Sequence, residues 1–301
     1  MSVRENICFV NNYNNGWCIS DCLDSIVAQT HPFDRIIVVD DGSTDNSLEL
    51  LSAYQKKHIN LEVLKKRNGG QLSTFNFVID LIPANSQIFL LDGDDAYPPD
   101  YLELVLTEFN HQPWDFAFCE RRDFHSMADD SLKSAKLSPV SSIIFQKSSA
   151  LTRSRYCWIG NVTSTISISG EFFKKIFPIY IDADWVLPAD DLIIYSSSIL
   201  GAQKAYLRSI AVGWRLHDNN HSLKQHSDQY RIKKHHDIKS VFLTYSRKAN
   251  SGQYPSIAEF FSEFQALSKE AKQHLNLPNH WKLLNRLVRQ GYLGYQIKNP
   301  T

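Results

Sequence analysis

Hydrophobic and polar positions follow two alternating periods over the first hundred residues of the chain. Residues 7–10 (ICFV) form a short apolar run that breaks at Asn11, Asn12, Asn14, Asn15 and Gly16, the pattern of a buried strand closed by a polar turn. Ile19, Cys22, Leu23, Ile26 and Val27 then recur at helical spacing. The unit repeats. Residues 35–39 (RIIVV) predict a second strand that breaks at Asp40-Asp41-Gly42-Ser43-Thr44-Asp45, and Leu48, Leu51 and Tyr54 continue as a helix that Ser43 or Asp45 can cap. Residues 61–64 give a third strand, Asn68-Gly69-Gly70 a loop, and Leu72, Phe75, Phe77, Val78 and Leu81 a helix stopped by Pro83. Residues 87–91 (QIFLL) are a fourth strand running straight into Asp92-Gly93-Asp94-Asp95. Strands alternating with helices imply an α/β fold built on a parallel, doubly wound sheet whose ligand site lies at the carboxyl ends of its strands. The turns after strands one, two and four all fall at that edge.

Beyond Pro98-Pro99 the pattern predicts a helix over 102–109, a strand over 115–118, a strand over 163–169 and a short helix over 170–177. Leu187-Pro188-Ala189-Asp190-Asp191 opens a helix that runs through Leu200, and residues 211–216 return to strand character. The segment 125–157 is rich in Ser and Lys without clear periodicity and reads as a mobile loop over the site, a common place for a lid. From Ser222 onward the chain is helical and basic.

Charge sharpens that division. The totals balance, with 32 Lys and Arg against 32 Asp and Glu, yet from Lys224 onward 13 basic residues face 5 acidic ones. Residues 1–222 carry the compensating acidic excess. At 301 residues the chain has room for one large domain or two modest ones, and 43% hydrophobic residues exclude wholesale disorder. No apolar run approaches the roughly 20 residues that span a bilayer, and the N-terminal apolar stretch is too short for a secretory leader, so a cytoplasmic location is expected. The five cysteines are odd in number and lack paired CxxC spacing, so they read as reduced thiols. Cys18 and Cys22, four apart on a helix, read as packing residues, because two further metal ligands of suitable spacing are missing.

Trp281, Leu284, Val288, Tyr292 and Tyr295 repeat at helical spacing near Lys282, Arg286 and Arg289. This stripe either lies on anionic lipid as a peripheral contact with the membrane's inner face, or packs on the rest of the chain or on a second copy in a homodimer. Nucleic acid is not expected as a partner, since no recognised module accompanies the charge. His235-His236, following Lys233-Lys234, reads as solvated surface rather than a metal site.

Neither a GxGxxG turn nor a GxxxxGK[ST] loop occurs, so phosphate must be neutralised by other means. Asp92-x-Asp94, with Asp95 beside it, offers hard oxygen ligands that suit Mg²⁺ or Mn²⁺ held jointly with a diphosphate; the same residues also make an ordinary acidic turn. Such a metal would stabilise a departing nucleoside diphosphate as a Lewis acid. Asp40-Asp41-Gly42-Ser43 would face the same crevice, where carboxylates can accept hydrogen bonds from a base N–H or from ribose hydroxyls.

At this point the chain resembles the family 2 glycosyltransferases, inverting enzymes with the GT-A fold. The resemblance is carried by ICFVNNYNNGW, RIIVVDDGSTDNS, NGGQLSTFN, QIFLLDGDDAYPPDYL, SISGEFFKKI, PADDLIIYSSSILGA and WRLHDNNHS, in that order over about residues 5–222. It implies a GT-A catalytic domain at 1–222, with a nucleotide-sugar half (1–100) and an acceptor half (101–222), followed by a basic helical region at 223–301. It also implies a nucleoside-diphosphate sugar donor, with UDP- or dTDP-sugars favoured, and Mn²⁺ or Mg²⁺ as cofactor. The acceptor hydroxyl would belong to a glycan or lipid-linked glycan, in cell-surface polysaccharide or glycolipid synthesis.

Carried over residue by residue, the resemblance puts Asn12 and Tyr13 near the base, Asp41 on the nucleobase or ribose, and Asp92 near the ribose. Asn68, Gly70 and Gly93 belong to the same nucleotide-sugar site. Asp94 is the leading metal ligand, with Asp92 and His217 as further ones, and Arg215 contacts phosphate. Asp190-Asp191 stands where the family places an acidic pair that includes the general base. Neighbours on a helix point about 100° apart, so only one of them can face the acceptor, and Asp191 is taken as the base with Asp190 as its alternate. The pair would equally complement the helix dipole without any catalytic role.

The sequence departs from the family in three places. Asn11-Asn12 replace Pro-Thr. Phe75 stands where an Arg usually precedes Asn76, leaving a phosphate contact to Lys65, Lys66 or Arg67. The acidic pair is Asp-Asp rather than Glu-Asp. These departures keep open a catalytically inactive nucleotide- or glycan-binding scaffold. A sugar-nucleotide nucleotidyltransferase is the remaining alternative, although its Gly-rich N-terminal loop is missing.

Overall fold

The computed structural model describes residues 4–180, 182, 184–218, 220, 226–252 and 255–277. Among them, one sheet contains β1 (Glu5–Asn12), β2 (Arg35–Asp40), β3 (Leu61–Lys65), β4 (Ser86–Asp92), β5 (Phe116–Phe124), β6 (Ile143–Phe145), β7 (Ile166–Ser169) and β8 (Lys204–Arg215). Their spatial order is β3-β2-β1-β4-β7-β5-β8-β6. Strands β1 to β4 pair in parallel, as do β5 and β8. The sheet is mainly parallel but not wholly so: β7 runs antiparallel between β4 and β5, and β6 is antiparallel on the β8 edge.

The helices are α1 (Ile19–Val27), α2 (Ser47–Lys57), α3 (Gln71–Val78), α4 (Tyr101–His111), α5 (Ser149–Arg155), α6 (Gly170–Ile176), α7 (Ala189–Ile199), α8 (Asp228–Lys248), α9 (Ile257–Ala266) and α10 (Lys269–His274). The central strands are apolar at nearly every position because helices cover both faces. Ile7, Phe9, Ile37, Val39, Ile88 and Leu90 pack with α3, α6 and α7. Cys8, Val10, Ile36, Val38, Phe89 and Leu91 point the other way, toward α1, α2 and α4. The basic region is not peripheral to this core: Val241, Phe242 and Tyr245 of α8 and Phe260 and Phe264 of α9 belong to the same cluster as Phe9 and Ile194. The helical stripe expected at Trp281–Tyr295 lies outside the described residues. Among those described, no helix is long and apolar enough to cross a membrane.

Two local expectations are corrected. Segment 125–157 is not a structureless loop: it contains a 3₁₀ turn (Asp130–Leu132), the edge strand β6 and helix α5. Each element is too short to leave a periodic signature. The Arg122 guanidinium ties the segment down, donating to the carbonyls of Ser131, Ser134 and Lys136 at 3.2, 2.9 and 2.7 Å. Helix α2 starts at Ser47, later than a Ser43 cap would require. Ser43 is instead turned back onto Asp40, and it is Asp45 Oδ1 that accepts the Ser47 N–H, at 3.0 Å.

Phe75 and Asn76 explain one departure from the family pattern. Phe75 is fully buried, with its ring centroid 5.3 Å from Phe9, 5.9 Å from Phe173 and 5.3 Å from Phe177, so this position faces the core rather than a ligand. Asn76 clamps the backbone of Ile179, donating to its carbonyl at 2.7 Å and accepting from its N–H at 2.9 Å. Removing the Phe75 ring leaves a cavity among three aromatics, so Phe75→Ala is expected to lower stability by about 3–5 kcal/mol in urea unfolding followed by circular dichroism.

Candidate active site

The register aligns the polar strand ends. Asn12 pairs with Asp40 across β1 and β2, and Asn11 with Asp92 across β1 and β4, so the turns after β1, β2 and β4 form one row at the carboxyl edge. A cleft of about 2150 Å³ opens over this row. Its floor includes Asn12, Asp41, Gly70, Asp92, Gly93 and Asp94; Asp190 and Asp191 of α7 stand on its wall, and Tyr13, Trp17, Trp158 and His217 also line it.

In the β2 turn the two aspartates do different things. Asp40 is fully buried and structural: Oδ1 accepts the Ser43 N–H at 2.9 Å, and Oδ2 accepts Asn12 Nδ2 at 2.8 Å. Asp41 lines the cleft, but its carboxylate is engaged by Lys66, by the Gly69 N–H at 3.1 Å and by the Gly70 N–H at 2.8 Å. Lys66, one of the three cations named as substitutes for the missing Arg, is therefore directed to Asp41 and to Ser73 Oγ, 2.7 Å away. Gly42 makes this packing possible: its φ is +77°, and a Cβ there would lie 2.8 Å from the Asn68 nitrogen. Asn68 itself is exposed and is not among the residues lining the cleft.

The β4 turn is held from below. Gly93 donates to the Asn11 carbonyl at 2.8 Å, and a Cβ at Gly93 would meet that carbonyl at 3.0 Å. Asp92 accepts from Gln71 Nε2 at 2.6 Å, and burial, then the charges of Asp94, Asp95 and Asp190, push its carboxyl well above the usual range. Asp95, 2% exposed, also borders the cleft, and its carboxylate is held by Ser164 Oγ at 2.5 Å and the Arg215 N–H at 2.8 Å. Burial, and after it the Asp94 charge, raise Asp95 to about 8.

Arg215 arrives from β8, which the Ala96–Gly213 bridge joins to this turn. It is 4% exposed and lies behind the cleft lining, donating from Nε to the Asp94 carbonyl at 2.8 Å and pairing with Asp21 at 2.8 Å. His217 Nε2 sits 2.9 Å from Asp94 Oδ2, and its ring lies edge-on to Trp17. Of the three expected metal ligands, Asp94 and His217 are brought together. Asp92 does not join them: among the described residues, no three His, Cys, Asp or Glu side chains converge on one centre. The four buried thiols and half-buried Cys157 are all free.

The acidic pair of α7 is asymmetric. Both oxygens of Asp191 are engaged, Oδ1 by the Trp158 indole N–H and Oδ2 by Lys234 Nζ, each at 2.7 Å. Asp190 Oδ1 accepts the Asp191 backbone N–H at 2.8 Å. Trp158 falls within the expected acceptor half, 101–222, and Lys234 within a basic run that carries no site expectation. The signal that could have found Lys234 is its place with Tyr230 and Asp237 on one stripe of a helix otherwise read as solvated.

A scan against protein families matches residues 8–175 to Glycosyl transferase family 2. An uncharacterized glycosyltransferase of Nostoc sp. is 31% identical over 220 residues, which cover 70% of this chain and 65% of the relative, just under two thirds of its length. Among solved structures, S. aureus TarS 1-349 in complex with UDP-GlcNAc superposes with a TM-score of 0.59 at 19% identity, covering 94% of this chain and 79% of that one. The mannosyltransferase PcManGT from Pyrobaculum calidifontis, in complex with GDP-Man and Mn²⁺, gives 0.57 at 17% identity, covering all of this chain and 77% of the other. These two share the fold. With the family match spanning more than half of the sequence, the chain belongs to glycosyl transferase family 2, and its fold is the GT-A fold.

Proposed function

We propose that the protein is an inverting glycosyltransferase that moves a sugar from a nucleoside-diphosphate sugar, UDP- or dTDP-linked, to an acceptor hydroxyl of a surface glycan or glycolipid. The observation that carries this reading is that the Asp94–His217 pair and the Asp190–Asp191 pair line one cleft. In the displacement the acceptor oxygen bonds to the anomeric carbon while the bond from that carbon to the phosphate oxygen breaks. The nucleoside diphosphate leaves on the opposite face, and the hydroxyl proton passes to a carboxylate. Asp191 is the proposed base: its two oxygens each accept one hydrogen bond and keep a further lone pair for the acceptor. Asn12, Tyr13, Asp41, Gly70, Asp92 and Gly93 form the lining proposed for the nucleotide sugar.

Two protein ligands completed by substrate phosphates and water suit Mg²⁺ or Mn²⁺, which rarely take an all-protein cage. Asp94 and His217 fit that donor set, and the ion would supply Lewis-acid stabilisation of the leaving diphosphate. Arg215 braces the Asp94 backbone from behind the cleft lining. Peripheral contact of the basic C-terminal region with anionic lipid would bring a lipid-linked acceptor within reach.

With UDP-, dTDP- and GDP-sugars and Mn²⁺, at least one donor is expected to be hydrolysed or to bind tightly in calorimetry. Chelation or Asp94→Ala should abolish turnover, and silence across the panel would sink the reading. Asp191→Asn should lower kcat by about 10²–10⁴-fold while donor affinity persists, whereas unchanged turnover removes Asp191 as base.

Asp190 makes stability depend on pH. Burial, and then the Asp191 charge, raise its carboxyl to about 6. Its folded value lies above its unfolded one, so its stabilising contribution is complete below about pH 4 and is lost as the pH rises through 6. Asp190→Asn should therefore match the parent's stability in urea unfolding at pH 4 and exceed it above pH 7, by about 3 kcal/mol.

A further inference from the structure

Helix α8 lies outside the family match, yet it reaches the acidic pair. Tyr230, Lys234 and Asp237 fall on one stripe, three and four residues apart. The Tyr230 hydroxyl donates to the Val186 carbonyl at 3.2 Å. Asp237, 1% exposed, accepts the Val186 and Leu187 N–H groups at 2.9 and 3.3 Å. This fixes the backbone that enters α7 and presents Asp190 and Asp191. Between those two contacts, Lys234 extends to Asp191 Oδ2.

A carboxylate with one engaged oxygen can still swing about its side-chain torsion. One engaged through both oxygens, by groups on two different elements, cannot. The groups facing Asp191 are Asp190 and Tyr195 on α7, Tyr230 and Lys234 on α8, and Trp158. Lys234 supplies the cation among them, beside a crevice already crowded with carboxylates.

We infer that Lys234 is a positioning residue for acceptor activation: it fixes the Asp191 carboxylate in place and, together with the Trp158 indole, aims its free lone pairs into the cleft. The helical region thereby completes the site rather than decorating it. The inference rests on the transferase reading, with Asp191 as base. Burial alone would depress the Lys234 ammonium, and its hydrogen bond and charge contact with Asp191 outweigh that and raise it.

The test compares the full chain with Lys234→Met and Lys234→Arg. Lys234→Met is expected to lower kcat by about 10- to 100-fold, as a misplaced reacting group does. Donor KM and UDP–Mn²⁺ affinity should stay within about twofold, because the donor floor is untouched. Lys234→Arg should restore much of the lost kcat. Carbon-13 NMR of aspartate carboxyls, with Asp191 assigned through Asp191→Asn, reads the same contact without turnover: its carboxyl resonance shifts in Lys234→Met and returns in Lys234→Arg. A folded Lys234→Met protein with an unmoved Asp191 resonance overturns the inference. If the parent turns over no donor while the resonance still moves, the transferase reading fails and the contact stands.

Discussion

Repulsion among carboxylates is the constraint around which this molecule is arranged. Asp40, Asp41, Asp92, Asp94, Asp95, Asp190 and Asp191 gather at one end of one sheet, where low dielectric and proximity make simultaneous ionisation costly. Three cations from three parts of the chain relieve them. Lys66, from the loop after β3, takes Asp41; Arg215, from the end of β8, braces Asp94 and Asp21; and Lys234, from α8, takes Asp191. Asp40 and Asp95 are satisfied by hydroxyl, amide and backbone donors. Asp92, Asp95 and Asp190, which form no salt bridge among the described residues, are the cleft-lining carboxyls whose proton affinity rises. The charge that remains unneutralised is directed at the cleft.

This arrangement accounts for the balance between an acidic body and a basic end. Part of the basic excess is consumed inside the protein. Lys233 pairs with Asp184 and Asp237, and Lys234 with Asp191, so α8 neutralises the wall it packs against. His236, with its side chain 72% exposed, does behave as surface. Adjacent residues of one basic run thus have opposite fates, which composition alone does not separate.

What was legible in the sequence is what burial writes into it. Strands covered on both faces must be apolar at consecutive positions, so β1, β2 and β4 announce themselves, and the acidic turns follow them at fixed offsets. The reversed strand β7 was readable as a strand but not as antiparallel, because direction is set by its partners β4 and β5 and not by its own residues. Strand β6 and helix α5 were lost in a polar stretch because three and seven residues are too few to establish a period. In the site, Asp94 with His217 was legible as a pairing and Asp92 with them was not, since a DxD spacing does not fix where each carboxylate turns. Lys234 was hidden for a different reason: its partner lies 43 positions away, on an element whose approach depends on the Tyr230 and Asp237 contacts.

The bond between Arg215 and Asp21 joins residues 194 positions apart, and that separation bears on the order of folding. The floor of the cleft is made locally: Lys66 meets Asp41 across 25 positions and Asn12 meets Asp40 across 28. The brace behind Asp94 requires β8 to arrive and close a loop several times longer, a slower event entropically. During synthesis from the N-terminus the row of β1, β2 and β4 can therefore take shape well before the strand that fixes the Asp94–His217 pair has emerged. The crevice would stay catalytically silent until the last of its walls was in place.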